Sequence, residues 1–369
     1  MKIAITGASG FIASQLVPVL LEKGHDLILF SRRSLRENPT FSKAIQEGKA
    51  ISVIADICQP GIWEEELLSC DAVIHLAGEP ILGQRWTKQY QEKIRTSRVK
   101  STRQIANALV RSKMANSQRL IQQPEVKSDL ESHGLRHSGL ALPSQRSDSN
   151  ETNGSGFSSR DSKPSATGNE SLQMPVFISG SAIGIYGFSL SEIEFTEESP
   201  PGTDFLAEVC QEWEQESRSA SQNGIRTVLL RIGIVLHPQG GALQKMLPLF
   251  RFGLGGRIAS GKQWLSWVHM SDLVQLILFT LENPQVSGPV NATAPQSVTN
   301  KDFTRILARI LHRPALLPVP YWLLRLGLGQ AAATLAYGQR VLPKKLIDLG
   351  FKFRFPELST ALADLLKSE

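Results

Sequence analysis

Cysteine and tyrosine are scarce in this chain, and each scarcity excludes a chemistry. Three cysteines, Cys58, Cys70 and Cys210, are spread over 369 residues. The odd number, with no CxxC and no His/Cys spacing suited to zinc, excludes a disulfide framework and leaves thiols without catalytic duty in a reducing compartment. Four tyrosines, Tyr90, Tyr186, Tyr321 and Tyr337, are followed four residues later by Ile94, Leu190, Arg325 and Val341. A phenol whose pKa is lowered by a lysine one helical turn away is therefore absent. Long apolar runs are missing too: none approaches the roughly 20 residues that span a bilayer. The nearest, "YWLLRLGLGQAAATLAYG", is broken by Arg325 and by glycines. The amino terminus, "MKIAITGASG", enters a strand with no charged-then-apolar leader, so a cytoplasmic location without membrane association is expected. Lysine and arginine exceed aspartate and glutamate by 40 to 34, a formal charge of +6. The cations are scattered rather than striped with aromatics, which argues against nucleic acid as a partner and for an anionic cofactor.

Present instead is an alternation of short apolar runs with amphipathic stretches. "KIAIT", "DLILFS", "ISVIAD" and "DAVIHLAG" read as strands, with helical patterns from Phe11 to Lys23 and from Thr87 to Arg111. β-Branched runs separated by helices predict a parallel sheet covered on both faces, an α/β, doubly wound Rossmann-type fold. From 112 to 173 the composition turns to Ser, Asn, Gly and charge ("SQRSDSNETNGSGFSSRDSKPSATGNES"), which cannot bury enough apolar surface to offset its ordering entropy and reads as a disordered insertion. Order returns with "PVFISGSA", a helix from Phe205 to Asn223 and the strand "RTVLLRIGIVL". The expected organisation is a nucleotide-binding domain over 1–111 and 174–237, and a small C-terminal substrate lobe over 238–369 from which strands return to the main sheet.

The first loop carries the strongest chemical signal. In "ITGASGFIAS" Gly7 permits a tight turn, Gly10 lets backbone approach a pyrophosphate at the positive end of a helix, and Ala13 allows close helix packing. Gly7, Ser9, Gly10, Phe11 and Ile12 form the predicted cradle. At the end of the second strand, where NAD sites place a carboxylate, stand Ser31 and Arg32. A hydroxyl and a guanidinium fork suit a 2′-phosphate, so the expected cofactor is NADP(H). Asp56 at the end of the third strand is placed to accept from the adenine amino group. Leu76, Ala77, Gly78 and Glu79 follow the fourth strand, where small residues let a cofactor lie against backbone. His75 reads as a packed strand residue. The segment "GLGGRIASGKQWLSWVHMSDLV" sets Arg257, Lys262, Gln263, Trp264 and Trp267 among glycine turns, either one wall of a cleft or an interface core.

"TGASGFIA", "HLAGEPI" with its following "RW", "SGSAIGIYG" and "GLGGRIASGKQWLSWVHMSDLV" together resemble the epimerase family proteins of the YfcH-like group, atypical extended short-chain dehydrogenase/reductases. The resemblance spans nearly all the chain outside 112–173. It implies an NADP-binding Rossmann domain, with Lys93 and Arg98 on the helix after the fourth strand and Val235 near the nicotinamide end facing the cofactor. It names no substrate. In the wider superfamily a serine at the end of this strand binds the substrate carbonyl and a tyrosine moves the proton. Ser181 holds the serine place, Tyr186 lies nearby, and the helix that should carry the tyrosine and lysine has Phe205 and Val209. The expected activity is NADP-dependent carbonyl reduction or epimerisation of a small molecule through Ser181 and Tyr186, in a monomer or homodimer. The rival is a non-catalytic NADP-binding sensor or scaffold.

Overall fold

The computed structural model describes residues 1–121 and 175–367, with the backbone alone for 116–121. Seven strands form one parallel sheet: β1 (Lys2–Thr6), β2 (Asp26–Ser31), β3 (Ala50–Ile54), β4 (Ala72–His75), β5 (Val176–Ala182), β7 (Thr227–Ile232) and β11 (Gly288–Ala292), in spatial order β11-β7-β5-β4-β1-β2-β3. Short strands outside it are β6 (Glu194–Phe195), β8 (Ile234–His237), β9 (Trp264–Leu265), β10 (Trp267–His269), β12 (Val298–Thr299) and β13 (Arg340–Val341). The helices are α1 (Phe11–Glu22), α2 (Ser42–Gln46), α3 (Trp63–Leu68), α4 (Lys88–Ile121), α5 (Phe205–Gln222), α6 (Gly241–Arg251), α7 (Met270–Glu282) and α8 (Asn300–Ile310). After them come α9 (Tyr321–Leu328), α10 (Ala333–Ala336), α11 (Lys344–Asp348) and α12 (Leu358–Leu366). The α/β, doubly wound, Rossmann-type architecture expected from the sequence is the one observed.

Strand alternation splits the core into two layers. Ile3, Ile5, Leu27, Leu29, Ile74 and Ile178 pack into one apolar cluster with α1 and α7. Ala4, Ile28, Phe30, Val73 and Phe177, the residues between them, pack with Trp63 of α3 and Ile105 and Leu109 of α4. Both faces of each central strand are thereby buried, which is why the strands read as unbroken apolar runs.

One expected boundary differs. The helix after β4 runs ten residues past Arg111, to Ile121, because "SKMANSQRLI" contains good helix formers and neither glycine nor proline. The expected insertion therefore begins inside a helix, and its remainder from 122 lies outside the described residues. The residues after 237 build an apolar cluster of their own, with Leu243, Phe250, Trp267, Phe303, Leu358 and Leu362, within the same compact unit as residues 1–112. β11 returns from beyond 237 to pair with β7 in the main sheet, and α7 packs on α1.

Candidate functional site

Strand order reverses between β1 and β4, since the chain leaves β1 toward β2 and β3 and then returns to β4 on the other side. Ligands of open α/β sheets bind in the crevice that such a reversal leaves at the strands' carboxyl ends. A cleft of about 170 Å³ lies there, lined by Gly7, Ser9, Gly10, Ser31, Arg32, Asp56 and the run from Leu76 to Glu79. Gly7 has φ +71°, and a methyl group on it would sit 2.7 Å from Ala77 N and 2.8 Å from the Leu76 carbonyl carbon. The first and fourth strand ends thus meet across a distance only glycine allows. Gly10 caps α1 without any side-chain hydrogen bond, which leaves first-turn amides available to an anion.

The Ser31 hydroxyl closes the turn after β2 by donating to Arg33 O and accepting from Arg33 N at 3.2 Å. That turn presents Arg32, whose Nη2 reaches across the cleft mouth to Glu79 Oε2 at 3.6 Å. Asp56, two residues beyond β3, accepts from Cys58 N through Oδ1 at 3.1 Å. Arg98 approaches from α4: its guanidinium carbon lies 3.2 Å from where a Gly78 methyl would stand, and 5.4 Å from the Trp213 ring centre. Burial pulls its pKa below the usual guanidinium value.

Several expected residues lie elsewhere. Lys93 is exposed: five residues from Arg98, it points about 140° away around the helix. The residues of α4 that line the cleft are Ser97 and Ser101, one helical turn apart and legible as the face shared with Arg98. The sequence reading missed them, together with Ala55, Ile57 and Cys58 on the loop after β3. The Phe11 ring packs on His237, with centroids 5.6 Å apart; Ile12 and Val235 join Phe11 at the edge of the core. None of these three side chains lines the cleft.

The expected catalytic pair is buried outside the cleft. Ser181, 3% exposed, donates to Glu214 Oε1 at 2.8 Å. Tyr186, 4% exposed, donates to Asn291 Oδ1 at 2.7 Å and accepts from Arg231 Nη1 at 2.9 Å. Burial pushes the Tyr186 pKa up to about 12 despite the neighbouring guanidinium, the opposite of what a phenol that exchanges protons near neutrality needs. On α5 the residues facing the turn after β5 are Leu206 and Cys210, 3.6 and 3.9 Å from a methyl built on Gly184. Phe205 instead stacks edge-on to Trp86 at 5.3 Å, and Val209 is buried. Burial pushes the Cys210 thiol up to about 12, so it stays protonated and unreactive.

His75, wholly buried, shares hydrogen bonds with Thr6 Oγ1 at 2.6 Å and Thr102 Oγ1 at 2.9 Å. Desolvation, helped by Arg98, lowers its pKa to about 3. The unfolded chain takes up this proton near pH 6.5 and the folded chain does not, so stability falls as pH drops from 6.5 toward 3. The expected loss from His75 is about 2 kcal/mol between pH 7 and pH 5. Urea unfolding of the wild type and His75→Gln at both pH values checks it: the substitution removes that part of the acid sensitivity, and equal slopes would refute it.

A parallel sheet with a glycine cradle at its point of reversal makes this a Rossmann-type protein of the dinucleotide-binding class. Residues 3–123 match the NAD dependent epimerase/dehydratase family, and residues 319–365 match a domain of unknown function, DUF1731. The epimerase family protein YfhF of Bacillus subtilis is 35% identical over 99% of this chain and 98% of its own. The mouse epimerase family protein SDR39U1 is 30% identical over 99% of this chain and all of its own. The chain belongs to the epimerase family. The crystal structure of human SDR39U1 with NADPH matches at a TM-score of 0.70 and 27% identity, covering 99% of both chains. UDP-glucuronic acid 4-epimerase from Bacillus cereus shares the fold at a TM-score of 0.68 and 16% identity, over 100% of this chain and 99% of its own. Among the described residues, no helix is long and apolar enough to cross a membrane, and no group of three or more metal-binding side chains occurs.

Proposed function

We propose that the chain binds NADP(H) in this cleft and uses it in carbonyl reduction or epimerisation of a small molecule, a carbonyl compound or one resembling a nucleotide sugar. The observation that carries the proposal is the cleft's donor set. Backbone turns away where a pyrophosphate would lie, and Arg32 stands at the end of β2 with no carboxylate on that turn. The human relative crystallised with NADPH supports the same reading. Amides at Ser9 and the first turn of α1 hold the pyrophosphate, Arg32 holds the 2′-phosphate, and Asp56 accepts from the adenine. The bound dinucleotide supplies the hydride. Arg98 supplies a fixed positive charge beside Gly78, where the chain offers no lysine.

Because Arg32 is shared with Glu79 before the cofactor arrives, the 2′-phosphate displaces a carboxylate from it. Losing charge-assisted contacts to a phosphate costs about 1.5–3 kcal/mol, or about 10- to 100-fold in affinity. Arg32→Ala should weaken NADPH by that factor and leave NADH within about twofold. Calorimetry with both cofactors checks the prediction, and equal losses would refute the phosphate assignment.

A second reading, a non-catalytic NADP-binding sensor, is favoured by the burial of Ser181 and Tyr186. NADPH oxidation across a panel of ketones, aldehydes and nucleotide sugars separates the two. Turnover lost in Arg98→Gln but retained in Tyr186→Phe supports the redox reading; tight NADPH binding without any oxidation supports the sensor.

A further inference from the structure

A second pocket, of about 470 Å³, opens between the loop 255–262, helix α8 and the segment 314–319, and it shares no lining residue with the dinucleotide cleft. Three cations enter it, Arg257, Lys301 and Arg305. Lys301, Thr304, Arg305 and Ala308 stand at i, i+3, i+4 and i+7, so they form one face of α8. Gly261, at φ +73°, lets the loop close on that face: a methyl group there would meet Arg257 Cδ at 3.3 Å and Lys301 Cβ at 3.4 Å. Arg305 shares its charge with Asp302 at 2.8 Å, and the other Asp302 oxygen accepts from Thr299 Oγ1 at 2.6 Å. Among the described residues Arg257 and Lys301 pair with no carboxylate, so the pocket keeps a net positive charge.

The second observation is Thr304. It is 5% exposed and among the residues that line this pocket, and its buried hydroxyl has no hydrogen-bond partner. A threonine inside a helix ordinarily returns its hydroxyl to the carbonyl four residues back, and a buried hydroxyl left unpaired is costly. Beside the cations the wall is apolar, made by Ala308, Ala315, Pro318 and Leu316, the last 83% exposed.

We propose that this pocket binds a phosphate monoester, with the phosphate held by Arg257, Lys301, Arg305 and the Thr304 hydroxyl, and the apolar body of the ligand against Leu316. A guanidinium fork, an ammonium and a hydroxyl donor match three phosphate oxygens. The same head group occurs on soluble metabolites and on phosphatidic acid, and the two sources are separable.

The test is calorimetric titration of the full chain with phenyl phosphate, in the wild type, Arg257→Ala/Lys301→Ala, Thr304→Val and Arg32→Ala. The expected result is saturable binding weakened about tenfold or more in the double variant and about threefold in Thr304→Val, with Arg32→Ala unchanged. Thr304→Val should also melt no lower than wild type, because it removes an unpaired buried hydroxyl; a purely structural threonine would lower the melting temperature and leave binding alone. Vesicles of phosphatidylcholine with phosphatidic acid provide the second arm. Sedimentation of the wild type and not the double variant, without phenyl phosphate binding, assigns the site to the lipid head group. Binding lost in Arg32→Ala and kept in the double variant, or no binding in either arm, overturns the proposal.

Discussion

Arg231→Met is expected to destabilise the protein by about 3–5 kcal/mol, the cost of leaving a buried charge without its partner. Arg231 donates through Nε and Nη2 to the two oxygens of Glu214, at 2.8 and 2.9 Å, with both residues under 5% exposed. Its Nη1 reaches the Tyr186 hydroxyl at 2.9 Å and Glu197 O at 3.1 Å. Through Tyr186 the network continues to Asn291 of β11, whose Nδ2 donates to Leu342 O at 3.0 Å. One ion pair therefore ties α5, β7, the turn after β5 and β11 together. Replacing both partners, Glu214→Leu with Arg231→Met, should recover most of the loss, since no charge is then left unpaired. Urea unfolding of the two single variants and the double variant checks this. Losses that add would show that the pair acts as two independent groups. A Ser181→Ala variant with full stability and no turnover would return that serine to the chemistry.

This network also marks where reading the sequence stops. Ser181 and Tyr186 are visible as polar residues released from a strand end, but Glu214 and Arg231 lie 33 and 50 residues beyond Ser181. Nothing local says that all four side chains turn inward together. The first loop was legible because its chemistry is local: a left-handed glycine, a helix start and a small residue one turn on. The central strands were legible because both their faces are buried. β11, "GPVNA", was not, since glycine and proline disguise it; as the edge strand beside β7 it tolerates Pro289. Lys93 and Arg98 were implied together by resemblance, and only the helical phase of α4 separates them.

Gly7→Ala should abolish measurable NADPH binding, a loss of about a hundredfold or more, corresponding to at least ~2.7 kcal/mol. The added methyl would stand under 3 Å from three backbone atoms of Leu76 and Ala77. Backbone just beyond the ends of two hydrogen-bonded central strands cannot yield as a flexible side chain would. The positive φ at Gly7 adds strain of about 1–3 kcal/mol, so the melting temperature should fall as well. Gly10→Ala separates the two effects. Gly10 has φ −80°, which alanine adopts without strain, but its methyl would stand 2.9 Å from the Gly7 carbonyl oxygen, one close backbone contact against three at Gly7. That variant should lose less melting temperature than Gly7→Ala yet still bind NADPH more weakly, because the methyl occupies the approach to the first amides of α1. Thermal melts and calorimetry on both variants read fold and binding separately. Wild-type NADPH affinity in Gly10→Ala, or in a folded Gly7→Ala, would mean that the dinucleotide lies somewhere other than this cradle.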